Sequence, residues 1–316
     1  MSSRARSQIC ALFLTAISDF ATSQVFLPMN VRQTSVSVLI PACNEEGALA
    51  DTIAAIERHR AVFGEMEIIV INDGSRDRTG EVARGLSVTL IEHKTNRGYG
   101  ASLKDGLQQA KGEFILIADA DGTYPLEEIP RLAADITTFD MVIGARTGEV
   151  VKIPFLRRLG KWIITQLAEY LSRQKIPDLN SGFRIFRRDT AMRFFSMYPD
   201  GFSLTTTLTL AMLTNHYRVK FVPINYHKRV GKSSINPVRD FLNFTILIIR
   251  ICACFKPLYV FVPPALLLIA LGVLKGTIDY SQHHYLGGLS ITMTLTGIQT
   301  LFIGLLADLI DQRMKL

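Results

Sequence analysis

Two aspartates one residue apart, Asp119 and Asp121, have the clearest potential for chemistry in this sequence of 316 residues. They follow an apolar run at 114–118 and precede turn-forming residues at 122–125. An apolar run bounded by Gly and Pro is typical of a buried strand in a parallel sheet, and ligands bind beyond the carboxyl ends of such strands. Carboxylate oxygens in that position suit Mg²⁺ or Mn²⁺ bound together with a diphosphate. The pair therefore predicts a cation site at the mouth of a cleft.

The sequence around this pair alternates apolar runs with amphipathic ones. Helical patterns separate the runs that are typical of strands, which lie at 36–41, 67–71, 88–92, 113–118 and 140–146. Such alternation predicts an α/β sheet with crossover connections. Glycines at 98, 100 and 106 imitate a dinucleotide-binding fingerprint, but Leu103 stands where its third glycine belongs. A dinucleotide-dependent oxidoreductase is therefore disfavoured.

A second polar segment, at 178–184, places a hydroxyl and a guanidinium on either side of a glycine. Ser181 and Arg184 flank Gly182 there, and this combination suits phosphate binding. A solvated turn with a salt bridge is the alternative interpretation. A basic loop at 227–234, which follows a further strand at 217–224, has the same two interpretations.

Two apolar stretches near the carboxyl terminus, 257–274 and 286–306, are each about 20 residues long, which is enough to cross a bilayer. A polar break at 279–284 separates them, so they predict a transmembrane hairpin. Basic residues precede the first stretch and follow the second, whereas the connecting loop has no Lys or Arg. The positive-inside rule then places the large domain and both termini in the cytosol. A homo-oligomer formed through the hairpin is a further expectation.

The amino-acid composition is consistent with a membrane-associated protein. The net charge is +7, the pI is about 9.3 and the mean hydropathy is +0.23, with the apolar excess gathered after Phe241. The basic excess gathers there as well, which favours an anionic membrane surface. No basic motif interleaved with aromatic residues accompanies it, so nucleic acid is not an expected partner. The four cysteines, at 10, 43, 252 and 254, have neither zinc-binding spacing nor a disulfide pattern.

Six short motifs follow one another between residues 36 and 236. They are Ile-Pro-Ala-Cys-Asn-Glu at 40–45, Asn-Asp-Gly-Ser at 72–75, Asn-Arg-Gly-Tyr-Gly-Ala at 96–101, Asp-Ala-Asp at 119–121, Asn-Ser-Gly-Phe-Arg at 180–184 and Arg-Val-Gly at 229–231. As an ordered set they resemble the dolichyl-phosphate mannose synthase family, which are GT-A glycosyltransferases of family 2. The resemblance implies a GT-A type nucleotide-sugar-binding sheet, and the hairpin resembles the membrane-anchored branch of that family.

The resemblance implies an inverting enzyme that moves a hexose from a UDP- or GDP-linked sugar to a polyprenyl phosphate, dolichyl or undecaprenyl, at the cytosolic leaflet. It implies a nucleotide-sugar site made by Pro41, Cys43, Glu45, Ile71, Asp73, Asp119, Ala120, Arg146 and Arg229. Asp121, with Asp119 beside it, would hold Mg²⁺ or Mn²⁺. Ser181 and Arg184 would receive the acceptor phosphate, and Asp178 would orient it.

Within that assignment the catalytic set is Asp121, Asp178 and Arg184. An acceptor phosphate is already ionised at neutral pH and can attack the sugar directly, so the reaction needs little acid-base chemistry. We expect Asp121→Ala and Arg184→Ala each to abolish transfer while the chain stays folded.

Three positions depart from the family pattern. Cys43 occupies a position where the family commonly has Tyr, and Thr123 occupies the position of a metal-binding Gln. Ser234 occupies the position of a donor-binding Lys, and nearby Lys232 could supply the missing positive charge. These departures keep two alternatives open: a catalytically degenerate membrane scaffold, and a transferase that acts on another lipid or saccharide acceptor. A processive polysaccharide synthase is disfavoured, because its Gln-x-x-Arg-Trp motif is missing from the sequence.

These patterns divide the chain into five parts. We expect a mobile N-terminal tail at 1–34 and a GT-A catalytic domain at 35–236 that includes an amphipathic helix at 154–173. An interfacial helix at 237–256, a transmembrane hairpin at 257–310 and a cytosolic tail at 311–316 complete the expected division.

Overall fold

Seven strands form one mixed sheet in the computed structural model, which describes residues 31–147, 165–166, 168–170, 172–201, 204–225 and 257–314. The strands are β1 Ser35–Ala42, β2 Glu65–Asp73, β3 Thr89–His93, β4 Phe114–Ile117, β5 Met141–Arg146, β6 Arg184–Arg187 and β7 Val219–Ile224. Their order across the sheet is β3-β2-β1-β4-β6-β5-β7. β6 runs antiparallel to β4 and β5, and the other pairs are parallel. β1 lies between β2 and β4, so the strands that follow β1 are added first on one side of it and then on the other. At such a topological switch point a crevice forms at the carboxyl ends of the strands.

Six helices cover the two faces of the sheet in the part of the domain that the structure describes. They are α1 Leu49–Glu57, α2 Thr79–Arg84, α3 Tyr99–Gln109, α4 Ile129–Ala133, α5 Arg188–Arg193 and α6 Leu204–Thr214. Alternate residues of a strand point to opposite faces, and β2 follows this rule: Ile68 and Val70 pack in the cluster under α1 and α4, whereas Ile69 and Ile71 pack in the cluster under α3 and α6. A sheet that is buried on both faces explains why its strands appear in the sequence as continuous apolar runs.

The domain begins slightly before the predicted boundary at residue 35. Val31–Gln33 form a 3-10 turn, and the Val31 side chain is fully buried in the core. Thr34 Oγ1 donates a hydrogen bond to the Val31 carbonyl at 2.7 Å, which fixes this turn before β1 starts. Residues 31–34, which we assigned to the tail, therefore pack with the catalytic domain.

Two long helices, α7 Pro257–His283 and α8 Gly288–Met314, form the C-terminal hairpin. Their segments Pro257–Gln282 and Gly288–Ile310 are long and apolar enough to cross a membrane. A Cβ placed on Gly297 would lie 2.6 Å from Ile269 Cγ1, so the two helices approach each other where glycine removes the side chain. Tyr259 and Val260 at the start of α7 pack against a small cluster of Ala168, Ile176, Leu179, Leu210 and Leu213. The hairpin base thus contacts the catalytic domain.

Several predictions fall outside the described residues. These are the N-terminal tail up to residue 30, the basic loop at 227–234 with Arg229, Lys232 and Ser234, the interfacial helix at 237–256, and most of the amphipathic helix at 154–173. They remain predictions.

Candidate active site

Three carboxylates lie at the carboxyl ends of neighbouring strands. Asp73 is the last residue of β2, while Asp119 and Asp121 follow β4, which ends at Ile117. Only β1 separates these two strands, so the three residues lie along one edge of the sheet. Asp73 is buried, whereas Asp119 and Asp121 are partly exposed. We call these three residues the carboxylate side of the cleft.

The loop after β4 holds Asp121 by local hydrogen bonds. Asp121 Oδ1 accepts from the Thr123 N–H at 3.2 Å and from Thr123 Oγ1 at 2.6 Å. Gly122 between them has a φ of +67°, a left-handed conformation that glycine adopts without strain and that lets the loop turn back. The Thr123 hydroxyl, at the position where the family has a metal-binding Gln, therefore contacts the Asp121 carboxylate.

The carboxylate side fits a divalent cation that is shared with a ligand. Mg²⁺ commonly uses one or two carboxylates and completes its shell with water and substrate phosphates. Asp119 and Asp121, which are partly exposed and two residues apart, meet this requirement. Within the described ranges no three His, Cys, Asp or Glu side chains converge on a site made by the protein alone. Water and a phosphate-bearing ligand would supply the remaining oxygens.

Two tyrosines connect the carboxylate side with the segment 178–184. Tyr99 Oη donates to Asp119 Oδ1 at 3.0 Å, and the Gly182 N–H donates to Tyr124 Oη at 2.8 Å. A Cβ placed on Gly182 would lie 3.0 Å from Tyr99 Oη and 3.1 Å from Asp119 Oδ2, so a larger residue would displace these groups. Burial, and secondly the Asp119 charge, raise the pKa of both tyrosines, so both hydroxyls keep their protons at neutral pH.

Arg184, the first residue of β6, is completely buried. Its Nε donates to the Ser181 carbonyl at 3.0 Å, and Nη2 donates to the same oxygen. Its Nη1 donates to the Thr205 carbonyl at 2.8 Å and to Thr209 Oγ1 at 2.7 Å, both on α6. Burial lowers the pKa of the guanidinium to about 10, so it is still charged at neutral pH. The site therefore contains a buried positive charge whose hydrogen-bond acceptors here are neutral oxygens.

Asp178 and Arg146 form a bidentate ion pair near Arg184. Arg146 Nε lies 2.6 Å from Asp178 Oδ2, and Arg146 Nη2 lies 2.9 Å from Asp178 Oδ1. The Arg146 N–H also donates to Oδ2 at 3.1 Å, and the Asn180 N–H donates to Oδ1 at 3.2 Å. These bonds fix the start of the segment 178–184 to the end of β5. We call Arg146, Asp178 and Arg184 the guanidinium side of the cleft.

The predicted acceptor-phosphate pair is directed inward in this conformation. Ser181 is buried and its hydroxyl donates to the Gly144 carbonyl at 2.6 Å, and Arg184 is buried as described above. An acceptor phosphate would have to exchange with these internal bonds, and the acceptor role of both residues stays a prediction. One expectation changes, however. Arg184→Ala would leave the buried carbonyls of Ser181 and Thr205 without this donor, so we no longer expect that variant to be fully stable.

The predicted nucleotide-binding residues on β1 and the loop after it lie at the same edge of the sheet. Pro41 and Cys43 are partly exposed, and the Asn96 Nδ2 group lies 3.2 Å from Cys43 Sγ. The Glu45 N–H donates to Thr79 Oγ1 at 2.9 Å, which ties this loop to α2. These contacts bring together the ends of β1, β2 and β3.

Two other predicted residues offer no side chain to the cleft. Ile71 is fully buried, and a Cβ placed on Gly106 of α3 would lie 3.0 Å from its Cδ1, so its side chain belongs to the core. Ala120 is also buried, and its carbonyl accepts from Thr52 Oγ1 at 3.2 Å. Any contact of Ile71 with a nucleotide would have to come from its main chain.

Sequence reasoning did not assign roles to several residues that shape the cleft. Tyr99 lies inside the motif at 96–101, and Tyr124 lies three residues after Asp121. Their places in or near these motifs were the only sequence features that could have indicated a role in the cleft. The threonines of α6 gave no such signal, because Thr205 and Thr209 contact Arg184 across a sequence separation of 21 and 25 residues. The whole of α6 is buried and carries no charge, so its sequence resembles that of any core helix.

Comparisons with known proteins identify relatives of this chain. Residues 37–195 match the model of glycosyl transferase family 2, and residues 256–312 match the GtrB C-terminal hairpin. A low-salt glycan biosynthesis hexosyltransferase, Agl6, of Haloferax volcanii is 28% identical over 93% of this chain and 70% of its own length. A dolichyl-phosphate hexose transferase of the same organism is 28% identical over 69% of this chain and 93% of its own length. The undecaprenyl-phosphate mannosyltransferase of Micrococcus luteus is 28% identical over 64% of this chain and 87% of its own length.

A solved structure has the same fold. Glucosyl-3-phosphoglycerate synthase of Mycobacterium tuberculosis, in complex with Mn²⁺, UDP and phosphoglyceric acid, superposes with a TM-score of 0.55. The match covers 69% of this chain and 78% of that one at 18% sequence identity, so it supports the fold alone. The predicted GT-A type α/β fold with its C-terminal hairpin is confirmed. The family match covers half of the sequence, and the chain is therefore a glycosyltransferase that belongs to family 2.

Proposed function

We propose that this enzyme moves a hexose from a UDP- or GDP-linked sugar to a polyprenyl phosphate, with inversion at the anomeric carbon. The observation that carries the proposal is the approach of Gly182 to Asp119, which brings the carboxylate side and the guanidinium side of one cleft together. Relatives whose names describe transfer to dolichyl phosphate and to undecaprenyl phosphate support a polyprenyl phosphate acceptor.

The reaction requires two anions to meet at one carbon atom. An oxygen of the acceptor phosphate forms a bond to C1 of the sugar, while the bond from C1 to the donor diphosphate breaks and the nucleoside diphosphate leaves with the electron pair. No side chain has to remove a proton from the ionised acceptor. The task of the chain is to position both anions and to lower their repulsion.

The guanidinium side supplies a positive charge for the acceptor phosphate. The guanidinium of Arg184 is fully buried and donates to neutral groups, and the charges of Arg146 and Asp178 lie close to it. Water therefore screens its charge less than that of an exposed arginine. Asp178 holds Arg146 through two hydrogen bonds, and this pair orients the segment that carries Ser181 and Arg184. This pairing supports the proposal that Asp178 orients the acceptor and does not act as a base.

The carboxylate side is the proposed cation site. Asp121, with Asp119 beside it, would hold Mg²⁺ or Mn²⁺, and a bound divalent cation would neutralise the donor diphosphate as it leaves. The structural neighbour with the same fold was crystallised with Mn²⁺, and the proposed site is compatible with that ion. Arg229, outside the described residues, remains the predicted partner of the diphosphate.

We also propose that the catalytic domain faces the cytosol and that the hairpin anchors it to the membrane. The hairpin match and the two apolar helices support membrane association, and the distribution of Lys and Arg supports the orientation. Protease treatment of sealed vesicles with the cytosolic face outward should remove the catalytic domain, and protection of the domain would contradict this orientation. Oligomerisation through the hairpin stays a prediction.

The direct test is transfer of labelled sugar in membranes that contain the full chain. A panel of radiolabelled UDP- and GDP-hexoses would be incubated with dolichyl phosphate or undecaprenyl phosphate, and the label in the organic phase measured. One donor and acceptor pair should give labelled lipid, and Asp121→Asn membranes should give none. If no pair labels the lipid, the proposed activity is wrong.

Removal of the cation tests the assignment of the carboxylate side. Chelation with EDTA should abolish transfer, and added Mg²⁺ or Mn²⁺ should restore it, because the diphosphate leaves poorly without charge neutralisation. The initial rate of lipid labelling is the measurement. An unchanged rate after exhaustive chelation would contradict a metal-dependent site.

The Thr123 departure keeps one alternative open. Its hydroxyl contacts Asp121 at 2.6 Å and offers a cation at most one weak ligand in place of the family amide. A catalytically degenerate scaffold would yield no labelled lipid, so the transfer assay separates it from the enzyme.

A further inference from the structure

A histidine that belongs to none of the recognised motifs bridges two carboxylates next to the cleft. His93 is the last residue of β3, and its side chain is only 4% exposed. Its Nδ1 lies 2.7 Å from Asp73 Oδ1, and its Nε2 lies 2.9 Å from Asp105 Oδ2 on α3. Arg97 Nη1 lies 2.5 Å from the same Asp105 oxygen. The ring therefore joins the end of β2 to α3, and it donates at both ends when both nitrogens carry a proton.

The Asp73 carboxylate that His93 contacts holds the turn after β3. Asp73 Oδ1 accepts from the Arg97 N–H at 2.8 Å, and Oδ2 accepts from the Gly98 N–H at 2.8 Å. Gly98 has a φ of +101°, so this turn uses a conformation that depends on glycine and on an external acceptor. Asp73 thus binds backbone groups and the imidazole, although sequence resemblance assigns it to the nucleotide.

The turn held by Asp73 contacts both flanks of the predicted donor site. On one flank, Asn96 Nδ2 lies 3.2 Å from Cys43 Sγ after β1. On the other flank, Tyr99 immediately follows the turn and donates to Asp119 Oδ1 at 3.0 Å. A shift of this turn would therefore move a contact of Cys43 and a contact of Asp119 at the same time.

We infer that His93 is a positioning residue for the nucleotide-sugar donor, acting through Asp73 and the turn 96–98. The inference rests on the proposed function, and it adds a residue that the family motifs do not contain. The imidazole holds the Asp73 carboxylate in place, and the carboxylate in turn accepts from the N–H groups of Arg97 and Gly98 in the turn. Loss of the bond to Asp73 should weaken nucleotide binding, whereas loss of the bond to Asp105 should matter much less, because Arg97 still holds Asp105.

Two amide substitutions of His93 separate these bonds. The amide nitrogen of Asn occupies the place of Nδ1, so His93→Asn keeps a donor towards Asp73. The amide nitrogen of Gln occupies the place of Nε2, so His93→Gln keeps a donor towards Asp105 only. The two variants change the same residue to the same functional group and differ in which carboxylate they reach, which makes each the control for the other.

The test measures the dissociation constants of UDP and GDP for the purified full chain in detergent with Mg²⁺, by calorimetry, together with thermal unfolding. For the nucleotide that the wild type prefers, His93→Gln should weaken binding about tenfold, as expected for one hydrogen bond to a charged group, and His93→Asn by less than about threefold. In the transfer assay His93→Gln should raise the donor KM and leave kcat nearly unchanged.

Equal binding by both variants and the wild type would overturn the inference, as would equal weakening in both variants. A His93→Gln variant that only lowers the unfolding temperature, with unchanged nucleotide affinity, would reduce the histidine to a structural role and also overturn it. A wild-type chain that binds neither nucleotide would overturn the proposed function, and this inference with it.

Discussion

The two sides of the cleft are built in opposite ways. On the carboxylate side, Asp119 and Asp121 are partly exposed loop residues, and Asp121 is held by Thr123, two residues away. The guanidinium side is an internal network, in which completely buried Arg184 bonds to groups on α6. We expect changes at the exposed loop carboxylates to cost little stability, and changes in the buried network to cost more. We therefore expect activity to be separable from stability at Asp119 and Asp121 on the carboxylate side. On the guanidinium side we expect the two to change together.

Substitution of Asp121 should give the largest and cleanest effect. Asp121→Asn should lower transfer by about 10³-fold or more, because several kcal/mol of charge stabilisation at the leaving diphosphate depend on this carboxylate. Its unfolding temperature should stay within about 1 °C of the wild type, since surface changes cost little stability.

Asp51→Asn on α1 makes the same chemical change at an exposed carboxylate that has no assigned role, and it should leave both quantities nearly unaltered. Labelled lipid and thermal unfolding are the measurements. A strongly destabilised Asp121→Asn chain would erase the contrast between the two sides.

Removal of the buried guanidinium should reduce stability and activity together. Arg184→Ala leaves the carbonyls of Ser181 and Thr205 without this donor and opens a cavity, so we expect about 3 kcal/mol of lost unfolding free energy and at least a hundredfold slower transfer. Chemical denaturation and the labelling assay measure the two losses.

Arg187→Ala, three residues along the same strand, is the control because that side chain is 37% exposed. Its loss should cost less than about 1 kcal/mol. An Arg184→Ala chain as stable as Arg187→Ala would show that the guanidinium side is not an integral part of the core.

A methyl group at the junction of the two sides should have an intermediate effect. Gly182→Ala would bring a Cβ to 3.0 Å from Tyr99 Oη and 3.1 Å from Asp119 Oδ2, so both sides would have to shift by a few tenths of an ångström. We expect transfer to fall roughly tenfold to a hundredfold, since small misplacements of reacting groups are costly. Gly201→Ala, where an added Cβ meets nothing within 4 Å, is the matched control. Equal rates for the two variants would mean that the junction tolerates displacement.

The smallest effect is expected on α6. Thr209→Val removes the hydroxyl that accepts from Arg184 Nη1 but leaves the Thr205 carbonyl in place. The loss should be about 1 kcal/mol in unfolding free energy and a few-fold in rate. Denaturation midpoints of Thr209→Val and Thr209→Ser distinguish loss of the hydroxyl from loss of the methyl. If Thr209→Ser were as impaired as Thr209→Val, the hydroxyl would not be the relevant group.

The same difference explains what the sequence could predict. Strands and the strand-end aspartates follow from local patterns, because an apolar run and the polar residue after it are adjacent in sequence. The positions of β1, β2 and β4 agree with the predictions within a few residues, whereas the two hairpin helices extend beyond the predicted apolar stretches to His283 and Met314. Even the turn at 122–125 was visible from its Gly and Pro.

The rest depends on pairing over long sequence distances. The antiparallel insertion of β6 between β4 and β5 has no local signature, and neither does the choice of α6 as the partner of Arg184. The bond from His93 to Asp73 spans 20 residues and two strands. A residue's type suggests what chemistry it can do, but whether it faces a ligand or another buried group is decided by elements elsewhere in the chain.

The location of α6 links the buried guanidinium to the base of the hairpin. One part of this helix bonds to Arg184, and its Leu210 and Leu213 lie in the cluster on which Tyr259 and Val260 of α7 pack. Packed helices stand roughly 10 Å apart, so the buried guanidinium and the base of the hairpin are separated by a spacer of fixed thickness. If the acceptor is a polyprenyl phosphate, as proposed above, this spacing would set how far its phosphate must extend from the hairpin to reach the guanidinium side.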